Sequence, residues 1–229
     1  GVMRRKYTGI IESYAAESVG VVTDALGSVE GWITSDIEEV ELYGSKVTIL
    51  TGSGEIYADI TGAAEAVRAT GDGSAFVDIS SYGDVCYAIT EKGAIYVATD
   101  GRNFVKAGEE NKRLANPLDI VCMDNRLLIL TSEGKLVIYN GDLFEVELPE
   151  DSRPECIGRA GSSFVAVTEN KTYLSSNGYV FAEISDIGLP RDVICDTVIT
   201  DDVFYVVTGT GDVVKTSDGV TEMIRARNE

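Results

Sequence analysis

Residues 118–148 read LDIVCMDNRLLILTSEGKLVIYNGDLFEVEL, and the fold class can be predicted from this stretch. Its apolar residues fall into four short runs, at 118–123, 126–131, 135–139 and 144–148. Gly134 marks a tight turn between the second and third runs, and Asn140-Gly141 marks one between the third and fourth. Runs rich in β-branched and aromatic residues that often alternate with polar ones are typical of strands. The stretch therefore predicts four short antiparallel strands.

An apolar run ending in threonine recurs along the chain. The five threonines are Thr51, Thr90, Thr131, Thr168 and Thr208, at separations of 39, 41, 37 and 40 residues. A glycine follows each threonine by three residues, except that Lys171 takes this place in the fourth copy. Tight turns that need positive φ favour glycine, so Lys171 would take that conformation only at some cost, unless Asn170 takes the position. The pattern predicts a repeat of about 39 residues.

A repeat of about 40 residues with four antiparallel strands is the blade of a β-propeller. Five complete units cover residues 38–229, whereas residues 1–37 form a less regular unit in which 8–14, 18–23 and 28–34 predict three strands. We therefore predict a single all-β propeller domain with six blades, or with five if the first segment closes a five-bladed ring. A chain of 229 residues buries enough surface to fold without disulfides or a metal.

The turns between third and fourth strands share an Asp-Gly or Asn-Gly pair. They read TDGRNF at 99–104, YNGDLF at 139–144, SNGYVF at 176–181 and SDGVT at 217–221. This pattern resembles the Asp-box turn of bacterial-neuraminidase-type repeats and the related turn of photosystem II assembly-factor-like propellers. The resemblance implies that the turn Asp or Asn caps its own turn and that the following aromatic residue packs between sheets. Local bonding by Asp and Asn agrees with a structural role, which we expect for Asp100, Asn140, Asn177 and Asp218.

The composition excludes several functions. The chain has no histidine, so it cannot by itself supply Ser-His-Asp or Cys-His catalysis or a His-ligated zinc site. Its 19 basic and 38 acidic residues give a net charge of -19, which repels nucleic acid and anionic membrane surfaces. No apolar run approaches the roughly 20 residues that span a bilayer. Dinucleotide, Walker and zinc motifs are missing from the sequence, so we predict no cofactor and no metal.

Cys86, Cys122, Cys156 and Cys195 lie 34 to 39 residues apart inside apolar runs. This spacing predicts free buried thiols, since disulfide frameworks and zinc sites bring cysteines into close pairs. Acidic residues follow the basic Arg4-Arg5-Lys6 where a signal peptide would have its apolar region, so we expect no targeting segment within the chain. The compartment stays open between the cytoplasm and an extracytoplasmic site reached by a signal peptide that has been removed.

Three aspartates are candidates to line the central channel. Asp78, Asp119 and Asp196 fall on predicted first strands, which are innermost in propellers. Two carboxyl groups at a suitable separation can cleave a glycosidic bond, and sialidases share this type of repeat. No segment matches the sialidase site residues, so solvated or turn-bonded channel carboxylates are the favoured interpretation, with sialidase-like or other glycoside hydrolysis as the alternative.

Arginine recurs just before the first strands of successive units. Arg113, Arg153 and Arg191 precede their strands by three to five residues, and Arg68 lies nearby in the first complete unit. Loops at this position gather on one face of a propeller, where guanidinium groups can bind a carboxylate, an acidic glycan or an acidic peptide. The competing interpretation is that each arginine pairs with a neighbouring acid. We expect a monomeric, non-enzymatic binding scaffold for a protein or glycan partner, with a structural module of a larger surface protein as a further alternative.

Overall fold

The structure is a computed structural model that describes most of the chain beyond residue 36. The described residues are 37–43, 46–60, 67–69, 73–100, 103–151, 153–160, 162–168, 171–184, 194–200, 203–208, 212–217 and 220–225. The predicted first unit at 1–37 therefore lies almost entirely outside them. No helix in this part of the chain is long and apolar enough to cross a membrane.

Strands dominate the described residues and form five four-stranded antiparallel sheets. Sheet 1 contains β1 (Ile37–Tyr43), β2 (Lys46–Thr51), β3 (Ile56–Ile60) and β4 (Val67–Ala69). Sheet 2 contains β5 (Phe76–Tyr82), β6 (Val85–Thr90), β7 (Ile95–Ala98) and β8 (Val105–Gly108). Sheet 3 contains β9 (Asp119–Met123), β10 (Arg126–Leu130), β11 (Leu136–Tyr139) and β12 (Leu143–Val146). Sheet 4 contains β13 (Cys156–Ala160), β14 (Ser163–Val167), β15 (Thr172–Ser175) and β16 (Ala182–Ile184), and sheet 5 contains β17 (Ile194–Thr200), β18 (Val203–Thr208), β19 (Asp212–Ser217) and β20 (Val220–Arg225).

In every sheet the strands lie side by side in chain order, as predicted for blades. Short 3-10 turns at Lys112–Leu114 and Pro149–Asp151 lie in the connections that lead into sheets 3 and 4. The prediction of repeated four-stranded antiparallel units is confirmed. The total number of blades stays a prediction, because the first unit lies outside the described residues.

The repeated threonine closes the turn between the second and third strands. In sheet 3, the Lys135 N–H donates to Thr131 Oγ1 over 3.1 Å and the Gly134 N–H donates to the Thr131 carbonyl over 2.9 Å. Thr90 accepts in the same way from the Ala94 N–H, at 3.0 Å. A hydroxyl acceptor at the end of the second strand satisfies an N–H that the sheet itself leaves unpaired, which explains the threonine in sheets 1 to 4.

The glycine after the threonine meets two demands at once. Gly93 has a φ of +79°, and a Cβ placed on it would lie 2.5 Å from the Asn111 carbonyl oxygen. The chain leading into the next sheet therefore packs directly on this turn. In sheet 4 the turn is closed by a bond from the Lys171 N–H to Thr168 Oγ1 at 3.1 Å, whereas Asn170, the alternative residue for the positive φ, lies outside the described residues.

The hydrophobic core is divided into layers between successive sheets. Leu50 and Ile56 of sheet 1 pack with Ile79 and Ala88 of sheet 2. Further clusters lie between sheets 2 and 3 and between sheets 3 and 4. The first strands of neighbouring sheets contact one another, from β1 through β5, β9 and β13 to β17. These first strands are thus the innermost strands of the assembly.

The thiols take part in these layers. Cys86, Cys122 and Cys156 are buried free cysteines. Burial raises the pKa of the Cys122 thiol to about 12, so these groups act as small apolar side chains. The Cys195 side chain lies outside the described residues.

Candidate functional site

Acidic residues occupy one register position on four of the five inner strands. Pairing of the inner strand with its neighbour places Glu39 opposite Leu50, Asp78 opposite Ile89, Asp119 opposite Leu130 and Asp196 opposite Val207. In sheet 4 the same position holds Cys156, opposite Val167. On β1, β5 and β17 a shift in register immediately precedes the acidic residue. A bulge of this kind redirects the next side chain, here on the strands nearest the centre.

The carboxylates at this position join one sheet to the next. Asp78 of sheet 2 is 8% exposed, and its Oδ2 accepts the Ile120 N–H of sheet 3 over 3.0 Å. Glu39 of sheet 1 makes the corresponding bond, since its Oε2 accepts the Ile79 N–H of sheet 2 over 3.2 Å. An inner strand has no partner strand on its central side, so its N–H groups there need other acceptors. These acids supply them and hold adjacent sheets together.

A second set of polar contacts lies two or three residues further along the inner strands. Ser81 Oγ donates to Glu41 Oε2 over 2.6 Å, which joins sheets 1 and 2. Arg159 of sheet 4 reaches back across sheet 3, where its Nη1 donates to the Ser81 carbonyl at 2.8 Å and the Cys122 carbonyl at 3.0 Å. Its guanidinium also lies 4.7 Å from the centre of the Tyr82 ring. One arginine thus ties the inner strands of three sheets.

The inner carboxyl groups have strongly shifted pKa values. Burial raises the pKa of Glu41 to about 7, against the opposing effects of the Ser81 hydrogen bond and the positive charge of Arg159. Burial also raises the pKa of Glu39 well above its usual range, and the charge of Asp78 and a hydrogen bond between the two carboxyl groups raise it further.

The predicted channel residues divide into two that are described and one that is not. Asp78 and Asp119 are both 8% exposed on inner strands. Asp196 lies on inner strand β17, but its side chain is outside the described residues. Within the described part of the chain, no three acidic or cysteine side chains form a group that could hold a metal ion. The oxygens described for Glu39 and Asp78 accept backbone N–H groups of the next sheet or of their own strand.

Three inner-strand residues escaped the sequence-based prediction, namely Glu39, Glu41 and Arg159. A signal for Glu39 was present, because it precedes its threonine by 12 residues, as Asp78, Asp119 and Asp196 precede theirs. No comparable signal marks Arg159, since sheets 1, 2 and 3 have other residues at its register position.

The two described arginines of the connecting loops lie at equivalent places on one end of the sheets. Arg113 is exposed in the 3-10 turn that packs on Gly93, and Arg153 is exposed beside Gly134, where a Cβ would lie 2.2 Å from its Nε. Gly93 and Gly134 occupy the same turn in sheets 2 and 3. Because the sheets repeat one strand order, the two arginines share a face, which we call the arginine face and define by Arg113 and Arg153.

Neither guanidinium on this face forms an ion pair within the described residues, and two acids near Arg113 are paired with lysines. Glu110 pairs with Lys92 at 3.8 Å and Glu145 pairs with Lys135 at 3.2 Å. The other two predicted arginines do not extend the description of the face. Arg191 lies outside the described residues. Arg68 lies within outer strand β4, which precedes the loop into sheet 2, and its backbone is paired with Tyr57. Its side chain lies outside the described residues, so its part in the face stays a prediction.

The turn residues bond to their own turns at the three described positions. Asp100 accepts the Asn103 N–H through Oδ1 at 2.8 Å. Asn177 Oδ1 accepts the N–H groups of Tyr179 and Val180 at 2.8 and 3.1 Å. Asn140 Oδ1 is 3.4 Å from the Asp142 nitrogen, a longer contact. Asp218 lies outside the described residues.

The aromatic residues after these turns differ in how deeply they are buried. Phe181 is 4% exposed within the core between sheets 3 and 4, and Phe104 packs against the core between sheets 1 and 2. Phe144 is 44% exposed and makes an edge-to-face contact with Tyr179, with ring centres 5.7 Å apart. The packing implied by the Asp-box resemblance is therefore wrong for Phe144, because β12 directs this ring outward.

Comparison with known proteins shows likeness in structure alone. No protein-family model matches the sequence, and no curated protein matches it. Among solved structures, human WBSCR16 has a TM-score of 0.59 at 14% identity, over 77% of this chain and 58% of that chain. YCF48 from Cyanidioschyzon merolae has a TM-score of 0.60 at 13% identity, over 82% and 71%. The WD40 β-propeller domain of Doa1 has a TM-score of 0.61 at 12% identity, over 86% and 71%.

The sheets and these similarities together define the class of protein. Repeated four-stranded antiparallel sheets with their first strands innermost, and neighbours that are β-propellers, identify the chain as a β-propeller. The chain spans little more than half the length of the WBSCR16 chain. At identities of 14% or less, these likenesses establish the fold.

Proposed function

We propose that this β-propeller is a non-enzymatic binding scaffold whose arginine face recognises an acidic partner. One observation carries the proposal: Arg113 and Arg153 are exposed, share a face and form no ion pair within the described residues. The chain has a net charge of -19, so acidic residues are abundant and most arginines could find a partner among them. Two guanidinium groups that share a face without such an ion pair therefore support a role in binding an acidic partner. Planar guanidinium groups match carboxylates and sulfates with two parallel hydrogen bonds.

The other polar residues support a scaffold by their use in the fold. The inner-strand carboxylates of Glu39 and Asp78 accept N–H groups of the neighbouring sheets. The turn residues Asp100 and Asn177 cap their own turns, which supports the further proposal that the repeats are of the Asp-box type. A rigid ring of sheets that presents loops at one end is suited to binding.

A protein is the favoured partner over a glycan. Structures with the same fold include YCF48 bound to D1 peptide and Prp20p from Saccharomyces cerevisiae, described with its binding properties to Gsp1p and histones. These partners are those of the other proteins. They support a protein ligand here only as an analogy of fold.

Direct binding to acidic probes tests the proposal. A labelled peptide with four consecutive glutamates and a sulfated heparin-type oligosaccharide are titrated separately against the protein by fluorescence anisotropy at about 50 mM salt. We expect saturable binding of the peptide and a loss of about tenfold or more in the variant Arg113→Ala/Arg153→Ala, since a lost charge-assisted bond costs about 1.5 kcal/mol or more. Stronger binding of the oligosaccharide would identify the glycan as the partner class.

Two control variants separate the arginine face from general charge. Arg113→Lys/Arg153→Lys keeps the net charge but removes the planar groups, so intermediate binding is expected. Lys106→Ala removes one positive charge from outer strand β8 and is expected to bind as the unmodified protein does. The proposal fails if neither probe binds, or if the double alanine variant binds both probes unchanged.

One observation favours a second candidate, a glycoside hydrolase that uses inner-strand carboxyl groups. Burial raises the pKa of Glu41 to about 7, a value suited to a general acid. Turnover of aryl glycosides that is lost in Glu41→Gln would support this candidate. No turnover with a panel of α- and β-linked aryl glycosides and an aryl sialoside would reject it for those substrates.

A further inference from the structure

A recess lies between sheet 3 and the 3-10 turn that precedes it. It has a cavity volume of about 130 Å³ and is lined by Asn111, Arg113, Leu114, Val137, Leu143 and Glu145. Its size suits one amino-acid side chain and is well below that of pockets for drug-sized ligands, which start at about 300 Å³. It lies beside the arginine face, because Arg113 belongs to both.

Hydrogen bonds of Asn111 and the packing of Leu114 on Gly93 hold the walls of the recess in place. Asn111 donates its N–H to the Lys92 carbonyl at 3.2 Å, and its Oδ1 accepts the Arg113 N–H at 3.0 Å. Leu114 is 1% exposed and packs on Gly93, so the turn cannot shift without opening the core. Arg113 therefore projects from a fixed backbone, which lowers the cost of ordering it on binding.

The floor of the recess is apolar. Leu114 and Val137 are 1% and 7% exposed, and Leu143 on strand β12 is 38% exposed at the rim. An exposed leucine beside two buried apolar side chains gives a small apolar surface that a second apolar group can cover. The recess thus offers an apolar contact and a guanidinium side by side.

The charges around the recess leave the guanidinium available. The carboxylate of Glu145, which also lines the recess, pairs with Lys135 at 3.2 Å. Glu109 pairs with Lys106 at 2.8 Å and Glu110 pairs with Lys92 at 3.8 Å. Among the described residues, Arg113 has no such ion pair, so the recess presents a positive group beside its apolar floor.

We propose that this recess binds a peptide segment in which a leucine-sized apolar side chain stands next to an acidic residue. The apolar side chain covers Leu114, Val137 and Leu143, and the carboxylate bonds to the guanidinium of Arg113. The inference rests on the proposed function and refines it, because it names the short motif that the partner presents at one of the two arginines.

Matched dipeptides test the recess without an identified partner. Acetyl-Leu-Glu-amide and its neutral counterpart acetyl-Leu-Gln-amide are titrated into the ¹⁵N-labelled protein and followed by two-dimensional NMR. We expect saturable shifts centred on the amides of Asn111, Leu114, Val137 and Leu143, with the glutamate peptide binding about tenfold more tightly. In Arg113→Ala, the two peptides are expected to bind equally weakly.

Further variants check each contact. Lys112→Ala removes a neighbouring exposed charge that does not line the recess, and the preference for the glutamate peptide is expected to persist. Leu143→Ser is expected to weaken both peptides, and the unchanged remainder of each spectrum shows that the variant is folded. Equal affinity of the two peptides for the unmodified protein, or shifts confined to other sheets, would overturn the inference.

The outcomes separate this inference from the proposed function. If the glutamate peptide fails to bind while Arg113→Ala/Arg153→Ala still loses the tetraglutamate probe, the recess is wrong and the arginine face stands. If the peptide binds in the recess while that double variant keeps the tetraglutamate probe, the recess stands and the arginine face is wrong. Arg153→Ala alone is expected to leave dipeptide binding unchanged.

Discussion

The raised pKa of the half-buried Glu41 carboxyl group leads us to expect that the fold loses stability as the pH rises. Its pKa is raised to about 7 in the folded protein from an ordinary value of 4.5. The folded state therefore holds a proton that the unfolded chain releases between these values. Its contribution to stability is fully present below about pH 4.5 and is lost as the pH rises through about 7. Glu41→Gln keeps an oxygen for Ser81 and removes this dependence.

The size of the effect follows from the pKa difference. Each pKa unit corresponds to about 1.4 kcal/mol. Without any reduction for solvent screening, the contribution of Glu41 to the free energy of unfolding falls by about 2 kcal/mol between about pH 5.5 and about pH 8.5. Glu41 is only half-buried, and solvent screening reduces the expected loss to about 1 kcal/mol.

Urea unfolding followed by circular dichroism measures this loss. The unmodified protein, Glu41→Gln and the control Glu147→Gln are compared at the two pH values. Glu147 is exposed, so its substitution removes the same charge without removing a buried carboxyl group. We expect the unmodified protein and Glu147→Gln to lose about 1 kcal/mol more than Glu41→Gln as the pH is raised.

Equal pH dependence in Glu41→Gln and the unmodified protein would refute the reasoning. So would a gain in stability of the unmodified protein relative to Glu41→Gln at the higher pH. Either result would mean that Glu41 is solvated as a charged group in the folded chain.

Three further comparisons test the packing of the sheets by urea unfolding. Gly93→Ala is expected to lower the free energy of unfolding by about 1–3 kcal/mol more than Gly83→Ala does. Both glycines have positive φ, but of the two only Gly93 has other atoms where the new methyl group would lie. Equal losses would contradict the close approach of the connecting loop to Gly93. Phe181→Ala is expected to lower the free energy of unfolding by about 3–4 kcal/mol, and Phe144→Ala by under about 1 kcal/mol. The reason is that the first ring is buried and the second is 44% exposed. A larger loss for Phe144→Ala than for Phe181→Ala would contradict the outward direction of the Phe144 ring on β12. Asp78→Ala is expected to lower the free energy of unfolding by about 2–3 kcal/mol, because it leaves the N–H of Ile120 without an acceptor. Asp78→Asn retains an oxygen and is expected to lower it by less. Equal losses in the two variants would argue against the hydrogen bond.

Much of each sheet was predictable from its own residues. The strands of sheet 3 differ from the predicted runs by at most two residues at any end. Alternation of apolar residues and the chemistry of tight turns act over fewer than about ten residues, so a single repeat carries them. The repeated threonine was a reliable marker because its hydroxyl closes the turn that ends the second strand.

The roles of the polar residues depended on contacts between repeats. Ser81 and Arg159 are 78 residues apart, and Asp78 and Ile120 are 42 apart. Sequence alone placed Asp78 and Asp119 on inner strands, but it could not tell a channel acid from one that bonds to the next sheet. The same limitation applies to Arg113 and Arg153, whose shared face follows from how each loop packs on a glycine of the preceding sheet.

Repeated four-stranded units follow from the sequence, because local propensity, turn residues and periodicity agree within each unit. Which charged groups bond inside the fold and which stay exposed depends on the tertiary structure. The reason is physical: burial and hydrogen bonding depend on the neighbouring sheet, so equally ionisable side chains become an inter-sheet bond at Asp78, a raised pKa at Glu41 and an exposed guanidinium at Arg113.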